Sequence, residues 1–95
     1  MYVITVQFAL RSGCVDAFMA AMVENARASR EHEPGCRQFD VCVSADDPRE
    51  VFLYEVYDDR AAFDAHLASA HFKVFDARVT ALVERRDVRG YTRVA

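Results

Sequence analysis

The 95-residue sequence is short of the features that mark specialised classes. Its three cysteines, Cys14, Cys36 and Cys42, are odd in number and show no CxxC pairing. That argues against a disulfide framework and a cysteine-built zinc site, and leaves reduced thiols. No basic stripe is present: 12 Lys and Arg stand against 15 Asp and Glu, for a net charge of −3. The most basic window, "ERRDVRG" (84–90), is interrupted by Glu84 and Asp87, so no nucleic-acid partner is expected. No window approaches the roughly 18 consecutive apolar residues of a membrane span, and the N-terminus lacks the basic-then-apolar layout of a signal peptide. A cytoplasmic protein with no membrane partner is expected. The length leaves room for one domain, residues 1–95.

Apolar residues, by contrast, are plentiful. They make up 53% of the chain, with seven Phe and four Tyr, although a domain this small buries only about 60–65% of its unfolded surface. "YVITVQFAL" (2–10) reads as a strand with Tyr2, Ile4, Val6, Phe8 and Leu10 on one face. From Cys14 to Glu33 the period changes, and Val15, Phe18, Met19, Met22, Val23 and Ala26 form a helical stripe. "EPG" (33–35) ends that helix. "CRQFDVCVS" (36–44) and "VFLYEVY" (51–57) form a hairpin around the turn "ADDPRE". Residues 58–86 read as helical, capped by Asp58 or Asp59 and broken near Ser69–Ala70. The later stripe is Phe72, Phe75, Val79, Leu82 and Val83. "DVRGYTRVA" (87–95) supplies a last strand.

The order β-α-β-β-α-β predicts an α+β, ferredoxin-like fold: a four-stranded antiparallel sheet with its helices on one face. Strands 1 and 3 are apolar on both faces. The uncovered face would be a large exposed patch in a monomer, so a homodimer through the sheet face is expected.

Within that frame a few residues carry chemistry. His66 and His71 lie in "FDAHLASAHF" (63–72), between Phe63 and Phe72. On one straight helix they would be about 140° apart, so they cannot share an ion, and no metal site is expected. A bend near Ser69 instead lets both rings flank one dry cavity as acid–base groups. Either ring alone reads more simply as a boundary residue. Glu55, amid "LYEVY", needs a hydrogen-bonding partner if buried, and Tyr57 shares its face. Asn25 and Ser29 sit at the edge of the first helix's stripe, where solvation is the ordinary state. Cys36 shows no base and reads as structural.

"NARASREHEPGCRQFDV" (25–41) and "LYEVYDDRAAFDAHLASAHF" (53–72) resemble the antibiotic biosynthesis monooxygenase (ABM) family. The similarity is greatest to its small quinol monooxygenases and its autoinducer-2 degrading isomerases, and covers nearly the whole chain. The resemblance implies a dimeric α+β barrel with one pocket per subunit. It also implies cofactor-independent oxidation of a small quinol or polyphenol with O2. His66, His71 and Glu55 would be catalytic, and Asn25, Ser29, Tyr57, Phe63 and Phe72 would bind the small aromatic substrate. Two other readings stay open: an isomerase or lyase of a small hydroxy-carbonyl compound, and a non-catalytic binding module. A haem-degrading branch of the family has tryptophan at the position of His66 and an iron-ligating histidine ten residues later. Residue 76 here is Asp, and the chain has no tryptophan, which disfavours that activity.

Overall fold

The β-branched and aromatic run "YVITVQFAL" builds the centre of the sheet. A computed structural model describes residues Met1–Ala95. β1 (Tyr2–Leu10) leads into α1 (Val15–His32), β2 (Cys36–Val43), β3 (Glu50–Tyr57), α2 (Arg60–Ala68), α3 (Ala70–Val79), a short 3-10 turn (Thr80–Leu82) and β4 (Val83–Thr92). All strand pairs are antiparallel, in the order β2-β3-β1-β4, the ferredoxin-like arrangement expected from periodicity. Register sets Ile4 between Glu55 and Gly90, Val6 between Leu53 and Val88, and Phe8 between Val51 and Arg86. Ile4, Val6, Phe8, Val51 and Leu53 therefore share one face and are buried beneath the helices. Phe18 of α1 packs edge-on against Phe8 at 5.0 Å and Phe75 of α3 at 6.1 Å between centroids. Burying each such ring contributes about 1.5–3 kcal/mol. No helix is long and apolar enough to cross a membrane.

Two details differ from the sequence reading. The buried line of α1 runs through Phe18, Ala21, Met22, Asn25, Ala26, Ala28 and Ser29, while Val23 is 57% exposed. α1 packs against α3, and its small alanines and serine allow a close approach that valine would block, so the helix is rolled toward them. Residues 80–86 are not α-helical: α3 stops at Val79 and β4 begins at Val83. The free edge of β1 supplies a full ladder of partners there, and the Arg11 N–H donates to the Leu82 carbonyl at 2.9 Å. That pairing overrides the helical preference of Glu84-Arg85-Arg86. The helix break falls at Ser69 and separates a shorter from a longer helix, as expected.

Candidate functional site

The joint between α2 and α3 positions the first group of side chains. Asp59 caps α2 by accepting the Ala62 N–H at 2.8 Å. Ser69 then ends α2 and starts α3. Its hydroxyl donates to the His66 carbonyl at 2.6 Å and accepts the Phe72 N–H at 3.2 Å. This bend sets the His66 and His71 rings 6.0 Å apart between centroids. Across from them α1 ends at Glu33, whose backbone is extended (φ −106°, ψ 106°) because Pro34 follows. Gly35 lets the turn press onto α2, since a Cβ there would lie 2.6 Å from the Ala62 Cβ.

Both imidazoles converge on Glu33. His66 Nδ1–H donates to Glu33 Oε2 at 2.8 Å, and His71 Nε2–H donates to the same oxygen. The carboxylate fixes both tautomers, since the ring nitrogen facing it must carry the proton. Ser29 Oγ lies 3.4 Å from His66 Nδ1 and donates to the Asn25 carbonyl at 2.8 Å. His66 is 2% exposed, and burial lowers its pKa, outweighing the upward pull of Glu33. Asn25 and Ser29, expected at a solvated edge, are buried at 3% and 0% exposure by the rolling of α1 toward α3. Glu33 is the member that sequence reasoning missed. A carboxylate at a helix C-terminus opposes the helix dipole. A broken local rule of that kind points to a role beyond helix formation.

A second group surrounds Glu55 on β3. It is 3% exposed, and its Oε1 accepts the Tyr57 hydroxyl at 2.6 Å. Burial, opposed by that bond and helped by the charge of Glu33, raises its pKa from 4.5 to about 7. Tyr57 is fully buried, and burial together with the charge of Glu55 holds its phenol protonated far above the ordinary range. Glu55 borders a cavity of about 250 Å³ whose walls are Ile4, Val6, Phe8, Phe63, Leu67, Phe72, Phe75 and Val88. Arg86 stands at its edge, over the Phe8 ring at 5.1 Å and paired with Asp76 at 2.8 Å. A larger groove of about 480 Å³ lies between α1 and β2. It is a surface feature: its Arg27 is already paired with Glu24 and Glu31.

The expectation that His66, His71 and Glu55 project into one hollow therefore needs correction. Glu55, Phe63 and Phe72 line the cavity, whereas neither imidazole does. His66 lies behind that wall, its ring 5.1 Å from Phe72, 6.1 Å from Phe63 and 5.6 Å from Tyr57. The aromatic layer separates two polar centres. Cys36 lies near both, but burial and the charges of Glu33 and Glu55 push its thiol up to about 11, so it is not a nucleophile at neutral pH.

Comparison with known proteins adds the family context. The family described as antibiotic biosynthesis monooxygenase matches residues 1–78. The Mycobacterium tuberculosis protein named "Putative monooxygenase Rv0793" is 39% identical over 69 residues, covering 73% of this chain and 63% of that protein. The solved structure of that protein superposes with a TM-score of 0.91 at 29% identity, over 99% of this chain and 95% of the other. A structure described as an antibiotic biosynthesis monooxygenase from Nitrosomonas europaea gives 0.92 at 33% identity, over the whole of both chains.

Proposed function

The chain belongs to the antibiotic biosynthesis monooxygenase family, and from that premise we propose that it oxidises a small quinol or polyphenol with O2, without flavin or haem, in the Glu55 cavity. The observation that carries this reading is one buried carboxyl, hydrogen-bonded by Tyr57, on a cavity whose other walls are apolar apart from Arg86. A cavity of about 150 Å³ holds benzene, so about 250 Å³ suits one substituted ring or a fused pair. Walls of phenylalanine and aliphatic side chains favour a flat aromatic guest, and the exposed Leu67 and Val88 leave the cavity a mouth to solvent. A carboxyl whose pKa burial raises toward neutrality is well matched to taking a phenolic proton.

In this reading Glu55 accepts a proton from a substrate hydroxyl while Tyr57 steadies the carboxyl. The resulting quinolate transfers an electron to O2, and the radical pair collapses to a ring hydroperoxide. Loss of water then gives a hydroxyquinone. Quinol and O2 balance against hydroxyquinone and water, with the substrate supplying all four electrons. His66 backs the Phe63 and Phe72 wall and acts as a positioning residue, with His71 behind it. Asn25 and Ser29 hold that second centre rather than the substrate.

The proposal includes a second copy on the uncovered face of the sheet. By strand register that face carries Thr5, Cys42, Phe52, Tyr54 and Tyr91 together with Gln7, Asp87 and Arg89. Tyr91 is 48% exposed, while Val3 and Val56 on the same face are already buried within the single chain. Light scattering of the eluting protein would give the mass of two chains. A monomer mass at micromolar concentration would remove this part.

Oxygen uptake with a panel of quinols tests the reaction. Consumption of one O2 per quinol, with one labelled oxygen atom retained in the product, is the expected result. Proton exchange at a substrate carbon without oxygen uptake would replace the oxygenase with an isomerase.

A further inference from the structure

We propose that Glu33, His66 and His71 form a binding site for one divalent first-row transition-metal ion. The site goes beyond the cavity reaction, which runs at Glu55 on the other side of the aromatic wall. Rotation along a straight helix keeps the two imidazoles apart, but the break at Ser69 removes that obstacle. Their ligand nitrogens and a carboxylate oxygen of Glu33 lie within 4.8 Å of one another. Two ligands about 2.1 Å from a tetrahedral ion such as zinc are about 3.4 Å apart. His66 Nδ1 and Glu33 Oε2 are separated by 2.8 Å, and His71 Nε2 contacts the same oxygen, so these ligands spread by about half an ångström or more when the ion enters.

Hydrogen bonding alone leaves this cluster unbalanced. Glu33 Oε2 receives both imidazoles, while Glu33 Oε1 is buried with no partner. Two donors free to choose would share two oxygens, because a buried unpaired acceptor is costly. A cation satisfies the bare oxygen and relieves the crowded one. The C-terminus of α1 adds its own negative potential at Glu33, which further favours positive charge.

The donor set names the ion class. Two imidazoles and one carboxylate suit zinc or iron, leave positions open for water, and are too nitrogen-rich for calcium or magnesium. Binding moves the His66 proton from Nδ1 to Nε2 and the His71 proton from Nε2 to Nδ1, so neutral rings release no net proton. Half-buried His71 borders a surface groove between α1 and α3, which gives the ion its way in.

The test is a calorimetric titration of chelator-treated protein with Zn2+, repeated with Co2+ in visible absorption. One ion per chain is expected, with Co2+ bands of a low-coordinate site. His71→Gln and Glu33→Gln should each weaken binding by at least about a hundredfold, and exposed His32→Gln should leave it unchanged. Absence of saturable one-to-one binding to the wild-type chain overturns the site. So does binding that survives His71→Gln, or that disappears with His32→Gln. Oxygen uptake is a separate readout: metal binding without uptake sinks the cavity reaction and keeps this site, and uptake without metal binding does the reverse.

Discussion

Two carboxylates in this small protein, Glu55 buried and Glu33 partly buried, make an instructive pair. Glu55 sits mid-strand, faces an apolar cavity and has one phenolic donor. Glu33 sits at a helix end, behind the cavity wall, and receives two imidazoles. Both are held in a mostly apolar interior, yet they are equipped for different work. One donor and heavy desolvation leave Glu55 able to gain and lose a proton near neutrality. Two nitrogen ligands turned toward one oxygen make Glu33 the centre of a coordinating cluster. The number and type of partners, more than depth of burial, separate the two.

The strongest way to break this contrast is kinetic. Glu55→Gln should lower quinol-dependent oxygen uptake by about a hundredfold or more, whereas Glu33→Gln should retain it within tenfold. Equal losses would merge the two centres. Next comes pH-dependent stability, read from urea midpoints. The folded pKa of Glu55 is raised, so its contribution is full below 4.5 and is lost as pH rises through about 7. Complete ionisation therefore costs about 3 kcal/mol. Glu55→Gln, which keeps an acceptor for Tyr57, should be more stable than wild type at pH 8.5 and close to it at pH 4.5.

A smaller effect falls on the other centre. Glu33→Ala leaves two ring N–H groups without an acceptor and should destabilise by about 2 kcal/mol, with little change in that pH dependence. The folded pKa of His66 is lowered, so its contribution is present above 6.5 and is lost as pH falls below that value. In the Glu55→Gln background stability should decline below pH 6.5, a slope that the opposite trend of Glu55 masks in wild type. Leu67→Ala, at the 40% exposed lip of the cavity, should change KM a few-fold and stability by under about 0.5 kcal/mol.

Much of the framework was legible because period-2 and period-3.6 patterns report directly on burial. β1, the hairpin and the broken second helix were all readable in that way. The β4 boundary was not, because Glu84-Arg85-Arg86 carries a local helical preference that only pairing with β1 reverses. The site was half legible. Glu55 announced itself as an acid among "LYEVY", and the histidines by their phenylalanine frame. Their meeting point did not, since Glu33 is 33 and 38 residues away from them. The cavity wall between Glu55 and His66 likewise depends on how rings from three elements interlock, which no spacing rule encodes.

One consequence follows from the single hydroxyl that closes one helix and opens the next. Because Ser69 serves both, the four residues between the imidazoles act as a fixed gauge. Inserting or deleting one of them would swing His71 by about 100°, off Glu33 altogether. Homologous chains that preserve the cluster must therefore tolerate no length variation across this joint, while the hairpin loop at residues 44–49 remains free to lengthen.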